Sequence, residues 1–289
     1  TLDLCLECKG CKAECPSNVD MAKMKYEFLA HYYDKHGLPL RNRIFGHIAS
    51  LSRVAAAFAT LSNMIMNSKV NKWALDHFIG IDKRRNMPLF TRETFEVWFY
   101  HRHTPIDNPD LPTVVFYPDT FINYNEPKIG IATVEVLEKA GYRVILAEPR
   151  KCCGRPFISK GMLKEARTNA QYNIEHLSAY AEKGWPIVGC EPSCLLSFRD
   201  DYLELVDDER AEMVAEHVFL IDEFLVREHN AGRLDLPYKK IDKALEIHGH
   251  CHQKALMGAG PTLAALDMVP GYDVSVLNTG CCGMAGSFG

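Results

Sequence analysis

Eleven cysteines stand in this 289-residue chain, most of them crowded into short motifs. Cys5-x2-Cys8-x2-Cys11-x3-Cys15-Pro16 has the spacing in which thiolates hold a four-iron, four-sulfur (4Fe-4S) cluster. So tight a run lets Cys5, Cys8 and Cys11 wrap one face of a cubane while backbone amides turn toward the sulfurs. Cys15 is carried on toward the next helix, and in two-cluster arrangements that fourth position ligates the other cluster. Only one such run is present, so Cys15 is expected to find partners outside this chain. A structural zinc site more typically shows two separated cysteine pairs.

The other seven cysteines form two groups. One is Cys152-Cys153-Gly154 with Cys190 and Cys194; the other is Cys251 with Cys281-Cys282-Gly283. Adjacent cysteines strain to reach one metal ion but can serve two irons of one cluster. Both Cys-Cys-Gly loops follow strands, where an open α/β sheet places its ligands. Asp119 lies 33 residues before Cys152, much as Cys251 lies 30 before Cys281. Asp119 is therefore read as the counterpart of Cys251, a carboxylate being a harder iron ligand than a thiolate. Cys190, Asp119, His250 and His252 complete the candidate ligands. His248, His250 and His252 alternate and would share one face of a strand, as ligands, a proton relay or, more ordinarily, hydrogen-bonded residues at a strand end. Gly258-x-Gly260 and Gly283-x-x-Gly286 lack the full dinucleotide fingerprint. No Ser-His-Asp order or paired carboxylate set stands out, and no catalytic residue is assigned.

Composition frames these motifs. With 47% hydrophobic and 24% charged residues the chain is globular, and its length suggests two domains. A net charge of −4 argues against nucleic-acid binding. Clustered rather than evenly spread cysteines favour metal-binding thiolates in a reducing, cytoplasmic setting. Thr1 is not an initiator and Gly289 ends inside a Gly-rich run, so a fragment of a larger polypeptide is expected.

The elements that carry the motifs follow from periodicity. A helix is predicted from Val19 to Lys35 and a second helical stretch from Leu40 to Met66, apolar enough to raise the membrane question but interrupted by His47 and Arg53. It is read as a buried or partner-docking helix. The prolines between His103 and Pro112 mark a linker. Strands are expected at Val114–Tyr117, Tyr142–Ala147 and Pro186–Gly189, with helices at Ile129–Lys139 and Met162–Glu182. The same order recurs from Ala244–His248 through a helix near Pro261–Val269 and a strand before Leu277, so a duplicated α/β unit with a parallel sheet is predicted.

These strings resemble a known group. The Cys-Cys-Gly units are similar to the CCG domain of heterodisulfide reductase B-type subunits and of the iron-sulfur subunits of glycolate oxidase and anaerobic glycerol-3-phosphate dehydrogenase. Cys5 to Pro16, Pro118-Asp119-Thr120-Phe121, Cys152 to Pro156, Glu191-Pro192-Ser193-Cys194, His248 to Lys254 and Gly280 to Gly289 more closely resemble the C-terminal half of large bacterial FAD-linked oxidases. That resemblance implies an α/β fold in three parts: a helical ferredoxin-like domain at 1–108, a CCG-type unit at 109–240 and a second, truncated unit at 241–289. It implies 4Fe-4S clusters on Cys5, Cys8, Cys11, Cys15, Cys152, Cys153, Cys194, Cys251, Cys281 and Cys282, and FAD in a missing N-terminal part. Electrons from a D-2-hydroxy acid (D-lactate, glycolate or D-2-hydroxyglutarate) would pass to a quinone, cytochrome or other acceptor. The partners would be an FAD-binding oxidase domain and, at the inner face, the membrane. The competing readings are a heterodisulfide-reductase-like thiol/disulfide subunit and a zinc-stapled interaction module.

Overall fold

The computed structural model describes residues 2–101, 106 and 108–280. Cys281 and Cys282 lie outside the described residues, as does part of the proline-rich stretch from His103 to Pro112. The fold is mixed α/β. Short turns carry the N-terminal cysteines, and a helix then runs from Met21 to His36. Asp20 starts this helix by accepting the amides of Ala22 and Lys23.

The apolar stretch expected as one helical segment over 40–66 is instead three helices, Leu40–Gly46, Ile48–Ala57 and Ala59–Asn67, the last two bent by 112°. Phe58 leaves helical geometry at φ −119° and ψ 39°. Two ties hold the bend. The Ser62 hydroxyl donates to the Ala55 carbonyl, and the Asn63 amide exchanges two 2.8 Å hydrogen bonds with the Phe90 backbone. Among the described residues no single helix is long and apolar enough to cross a membrane.

Four strands form a parallel sheet in the order β2-β1-β3-β4: β1 Thr113–Phe116, β2 Arg143–Leu146, β3 Ile187–Gly189 and β4 Val218–Leu220. Alternation explains why they read as continuous apolar runs. Val114 and Phe116 face the helices Phe95–His101, Pro127–Lys139 and Ile221–Asn230, whereas Val115 and Tyr117 face Leu163–Ala181 and Pro192–Arg199. Both faces are thus covered, as parallel sheets require. The connections leaving β1 and β3 diverge, which opens a crevice at the carboxyl ends of the strands.

Two further parallel strands, β5 Lys243–Ile247 and β6 Tyr272–Val276, form a separate sheet. The pairing repeats the first unit closely. Phe116 aligns with Leu146 at the end of one pair and Ile247 with Val276 at the end of the other. Each pair is bridged by a short helix and then a second one, Thr120–Tyr124 and Pro127–Lys139 in the first unit, Cys251–Leu256 and Gly260–Asp267 in the second.

Candidate metal and thiol centres

The N-terminal cysteines sit where the backbone is most contorted. Glu7 and Lys9 adopt left-handed conformations at φ 55° and 60°, and Asn18 does so at 54°. Around Asn18, amide groups point at sulfur. The Met21 amide donates to Cys11 Sγ at 3.4 Å, and the amides of Val19, Ser17 and Asn18 hold the Cys15 thiol below its ordinary pKa. Cys5, Cys8, Cys11 and Cys15 are all partly exposed. Donated amides and accessible sulfurs are what iron-sulfur thiolates need, so the donor set fits a cluster.

A buried ionic clamp fastens this loop to the first α/β unit. The Lys9 side chain, fully buried between Cys8 and Cys11, donates to Asp200 and to Asp201 Oδ1 at 2.8 Å. Lys12 reaches Asp200 at 2.7 Å. Arg155 pairs with Asp201 at 3.2 Å and lies 3.7 Å from Glu7, while Lys25 pairs with Glu7 at 3.2 Å and donates to the Cys5 carbonyl. Tyr26 donates to Asp201 at 3.0 Å. Burial alone would raise the Asp201 carboxyl, but the Arg155 and Lys9 cations win and hold it below the usual range. Sequence reasoning missed this clamp. The signal in the sequence was the adjacent pair Asp200-Asp201 just beyond the helix that carries Cys194, matched by a lysine set inside a cysteine run.

The first Cys-Cys-Gly loop is built differently. Gly154 takes φ 81° after Cys153, a conformation that favours glycine, and opens the helix Arg155–Ile158. Neutral hydrogen bonds pin the loop. Asn173, fully buried on the helix Leu163–Ala181, accepts the Lys151 amide and donates to the Tyr202 hydroxyl; Asn169 donates to the Cys152 carbonyl, Tyr202 to the Cys153 carbonyl and Tyr117 to the Lys151 carbonyl. Cys194 joins from the first turn of the helix Pro192–Arg199, capped by Glu191.

Three thiols meet here. Cys153 Sγ is 3.0 Å from Cys194 Sγ, and Cys152 hydrogen-bonds to Cys153. Cys153 lowers the Cys194 thiol, but burial together with the nearby Asp119, Glu191 and Cys152 outweighs it and pushes the thiol up to about 12. Contact with Cys153 and burial likewise push Cys152 up. Cys190 stands apart, on the opposite face of the sheet. Its sulfur lies 3.1 Å from the Thr133 hydroxyl, and burial raises it to about 12.

Two sequence expectations are corrected. Counting from the aligned strand ends, Asp119 corresponds to His250, and both cap their short helices: Asp119 accepts the amides of Phe121 and Ile122, and His250 Nδ1 accepts that of His252. Thr120, not Asp119, therefore occupies the place of Cys251, and its hydroxyl hydrogen-bonds to Cys152. The sequence count was one residue out because strand ends are not visible in it. The Asp119 carboxyl, buried beside Glu191, is raised to about 6.

Nor do His248, His250 and His252 share a strand face, because β5 ends at Ile247. His248 meets Thr279, and His250 lies 3.5 Å from Glu191. The ring of His252 is buried, with Nε2 3.0 Å from the Glu7 carbonyl. The Arg155 guanidinium lies 3.4 Å from the same nitrogen. Burial and Arg155 lower His252 to about 3, which keeps the ring neutral. Through Glu7 and His252 the helix that begins at Cys251 touches the N-terminal loop. Among the described residues no three His, Cys, Asp or Glu side chains converge on a single-ion site. Sulfurs around one tetrahedral zinc would stand roughly 3.8 Å apart, whereas cluster thiolates bind separate irons and stand farther apart.

Comparison with known proteins places this geometry. Residues 113–199 match the family model described as the CCG cysteine-rich domain. The chain is 31% identical to a subunit of the anaerobic glycerol-3-phosphate dehydrogenase of Escherichia coli K12 over 258 residues, covering 89% of this chain and 64% of the relative. It is 26% identical to D-2-hydroxyglutarate dehydrogenase of Haemophilus influenzae, covering all of this chain and 29% of that protein. It is 28% identical to lactate utilization protein A of Macrococcus caseolyticus, over 61% of this chain and 71% of the relative. The chain thus spans less than two thirds of the first two relatives. No solved structure matches it. The Cys152-Cys153-Gly154 loop and the β1–β3 crevice both lie within residues 113–199, the stretch that matches the CCG cysteine-rich domain.

Proposed function

We propose that this chain is the iron-sulfur electron-transfer part of an FAD-dependent dehydrogenase that oxidises a D-2-hydroxy acid of the lactate, glycolate or 2-hydroxyglutarate class. The observation that carries the reading is the N-terminal loop, whose four cysteines are partly exposed and whose Cys11 and Cys15 receive backbone amides, while buried Lys9 anchors the loop to the CCG domain. A 4Fe-4S cluster bound there would accept and release one electron at a time. The protein's part is to hold Cys5, Cys8 and Cys11, to donate the Met21 amide to Cys11 and to fix the loop beside the helix that begins at Cys251. Cys251, Cys281 and Cys282 are the ligands proposed for a second centre, and Cys15 for a cluster completed by another segment.

Hydroxyl oxidation falls to a flavin domain, supplied by the same polypeptide or by a partner subunit. The names of the relatives, dehydrogenases of glycerol-3-phosphate and 2-hydroxyglutarate and a lactate-utilization protein, support that division. On the acceptor side, residues 40–92 carry nine Lys or Arg against two Asp and expose Val54, Phe58, Met64, Trp73 and Phe78. A basic face with apolar and Trp side chains suits the inner, anionic surface of a cytoplasmic membrane, with a quinone or cytochrome as acceptor.

Anaerobic purification followed by iron analysis, visible absorption and EPR tests the reading. Cys8→Ser is expected to abolish the reduced signal of the N-terminal cluster. A colourless, zinc-loaded chain would refute it. Co-sedimentation with anionic rather than neutral vesicles tests the membrane contact.

A further inference from the structure

Three of the four thiols of the first α/β unit meet, Cys190 lying on the opposite face of the sheet, where a cubane cluster takes four thiolates on four irons. Thr120 fills the place that Cys251 occupies in the second unit, and its hydroxyl is already spent on Cys152. The remaining sulfurs are not spread around a cluster-sized space. Cys153 and Cys194 are 3.0 Å apart, about 1 Å beyond the covalent disulfide length of about 2.05 Å. Both approach on rigid supports. Carbonyls on either side of the Cys152-Cys153 bond are held by Asn169 and Tyr202, and Lys151 by Asn173 and Tyr117. Cys194 lies in a capped helical turn whose Phe198 packs on Tyr117 and Tyr202.

We propose that Cys153 and Cys194 form a reversible disulfide, so that the first CCG unit is a thiol–disulfide centre rather than a cluster site. The oxidant is a low-molecular-weight disulfide such as glutathione disulfide. Cys194 is the more exposed of the two, Cys153 being buried. Cys194 gives up its proton and its sulfur attacks one sulfur of the oxidant, breaking that S–S bond and releasing one thiolate. Cys153 then gives up its proton and attacks the Cys194 sulfur, which releases the second thiolate. The two released thiolates take up the two protons, so the dithiol loses two electrons and one external disulfide gains them. The reverse sequence restores the dithiol. Cys152, hydrogen-bonded to Cys153, stays a thiol throughout.

The test uses the full chain under anaerobic conditions, equilibrated over a series of glutathione disulfide to glutathione ratios, alkylated, and digested without reduction for mass spectrometry. The expected result is a cross-linked Cys153–Cys194 peptide that appears as the ratio rises, disappears on return to glutathione, and persists in Cys152→Ser. Iron per chain is expected to be the same in Cys153→Ser, Cys194→Ser and the parent. Absence of that peptide at every ratio, a link through Cys152 instead, or only a mixed disulfide on Cys194 overturns the proposal. So does loss of a cluster's iron in either variant. Peptide mapping of the parent chain needs no variant to fold. The N-terminal EPR signal, read in the same samples, reports separately on the electron-transfer reading.

Discussion

The N-terminal cysteine loop and the first Cys-Cys-Gly loop hold similar residues in opposite surroundings. In the former the sulfurs are partly exposed, amides point at Cys11 and Cys15, and buried ion pairs fix the backbone. In the latter the sulfurs touch one another in an apolar site, and neutral side chains fix the backbone. The difference teaches that cysteine chemistry is set by what faces the sulfur. Donated amides stabilise thiolates, whereas burial beside other thiols favours neutral thiols or a covalent bond.

Removing the ionic support should have the largest effect. Asp201→Ala leaves Lys9 and Arg155 buried without that carboxylate, a loss of about 3 to 5 kcal/mol. Urea denaturation at pH 7 measures it. Because the folded Asp201 pKa is depressed, its contribution is present above the unfolded value of about 3.9 and is lost as pH falls through the folded value. The deficit of the variant should therefore shrink in acid. A loss below about 1 kcal/mol at pH 7, the range of surface pairs, would dissolve the contrast between the two loops.

Asp119 gives the opposite pH dependence. Its folded pKa is raised to about 6, so its contribution is complete below about 3.9 and is lost as pH rises through 6. Asp119→Asn keeps an amide-accepting cap without the charge and should gain on the parent by about 2 kcal/mol between pH 4 and 7. Thermal melts at the two pH values decide it, and a constant difference would sink the assignment.

Tyr202→Phe removes one hydrogen bond to the Cys153 carbonyl and one from Asn173, for a loss of about 1 to 2 kcal/mol. If the neutral bonds position the thiols, the ratio of glutathione disulfide to glutathione at which the Cys153–Cys194 link forms should shift as well. An unchanged ratio would show that Tyr202 serves stability alone. The smallest effect is expected at Thr133→Val, under about 1 kcal/mol. Cys190 lies on the other face of the sheet, so that variant should leave cross-linking untouched, and altered cross-linking would place Cys190 with the trio.

Much of this protein was legible in its residues. The cysteine spacing named the N-terminal motif, and the apolar runs located β1, β2, β3, β5 and β6 within a residue or so, because side-chain periodicity is a local property. Duplication was also visible, from the repeated order of strands, helices and Cys-Cys-Gly loops. Packing decided the rest. The break at Phe58 depends on Asn63 meeting Phe90, 27 residues away. The register that pairs Thr120 with Cys251 depends on where two strands stop. Lys9 meets Asp200 across 191 residues, and Cys153 meets Cys194 across 41 while Cys190, four residues earlier, turns to the opposite face. Such meetings follow from sheet order and helix docking, which sum contacts over the whole chain, and no local pattern of residues encodes them.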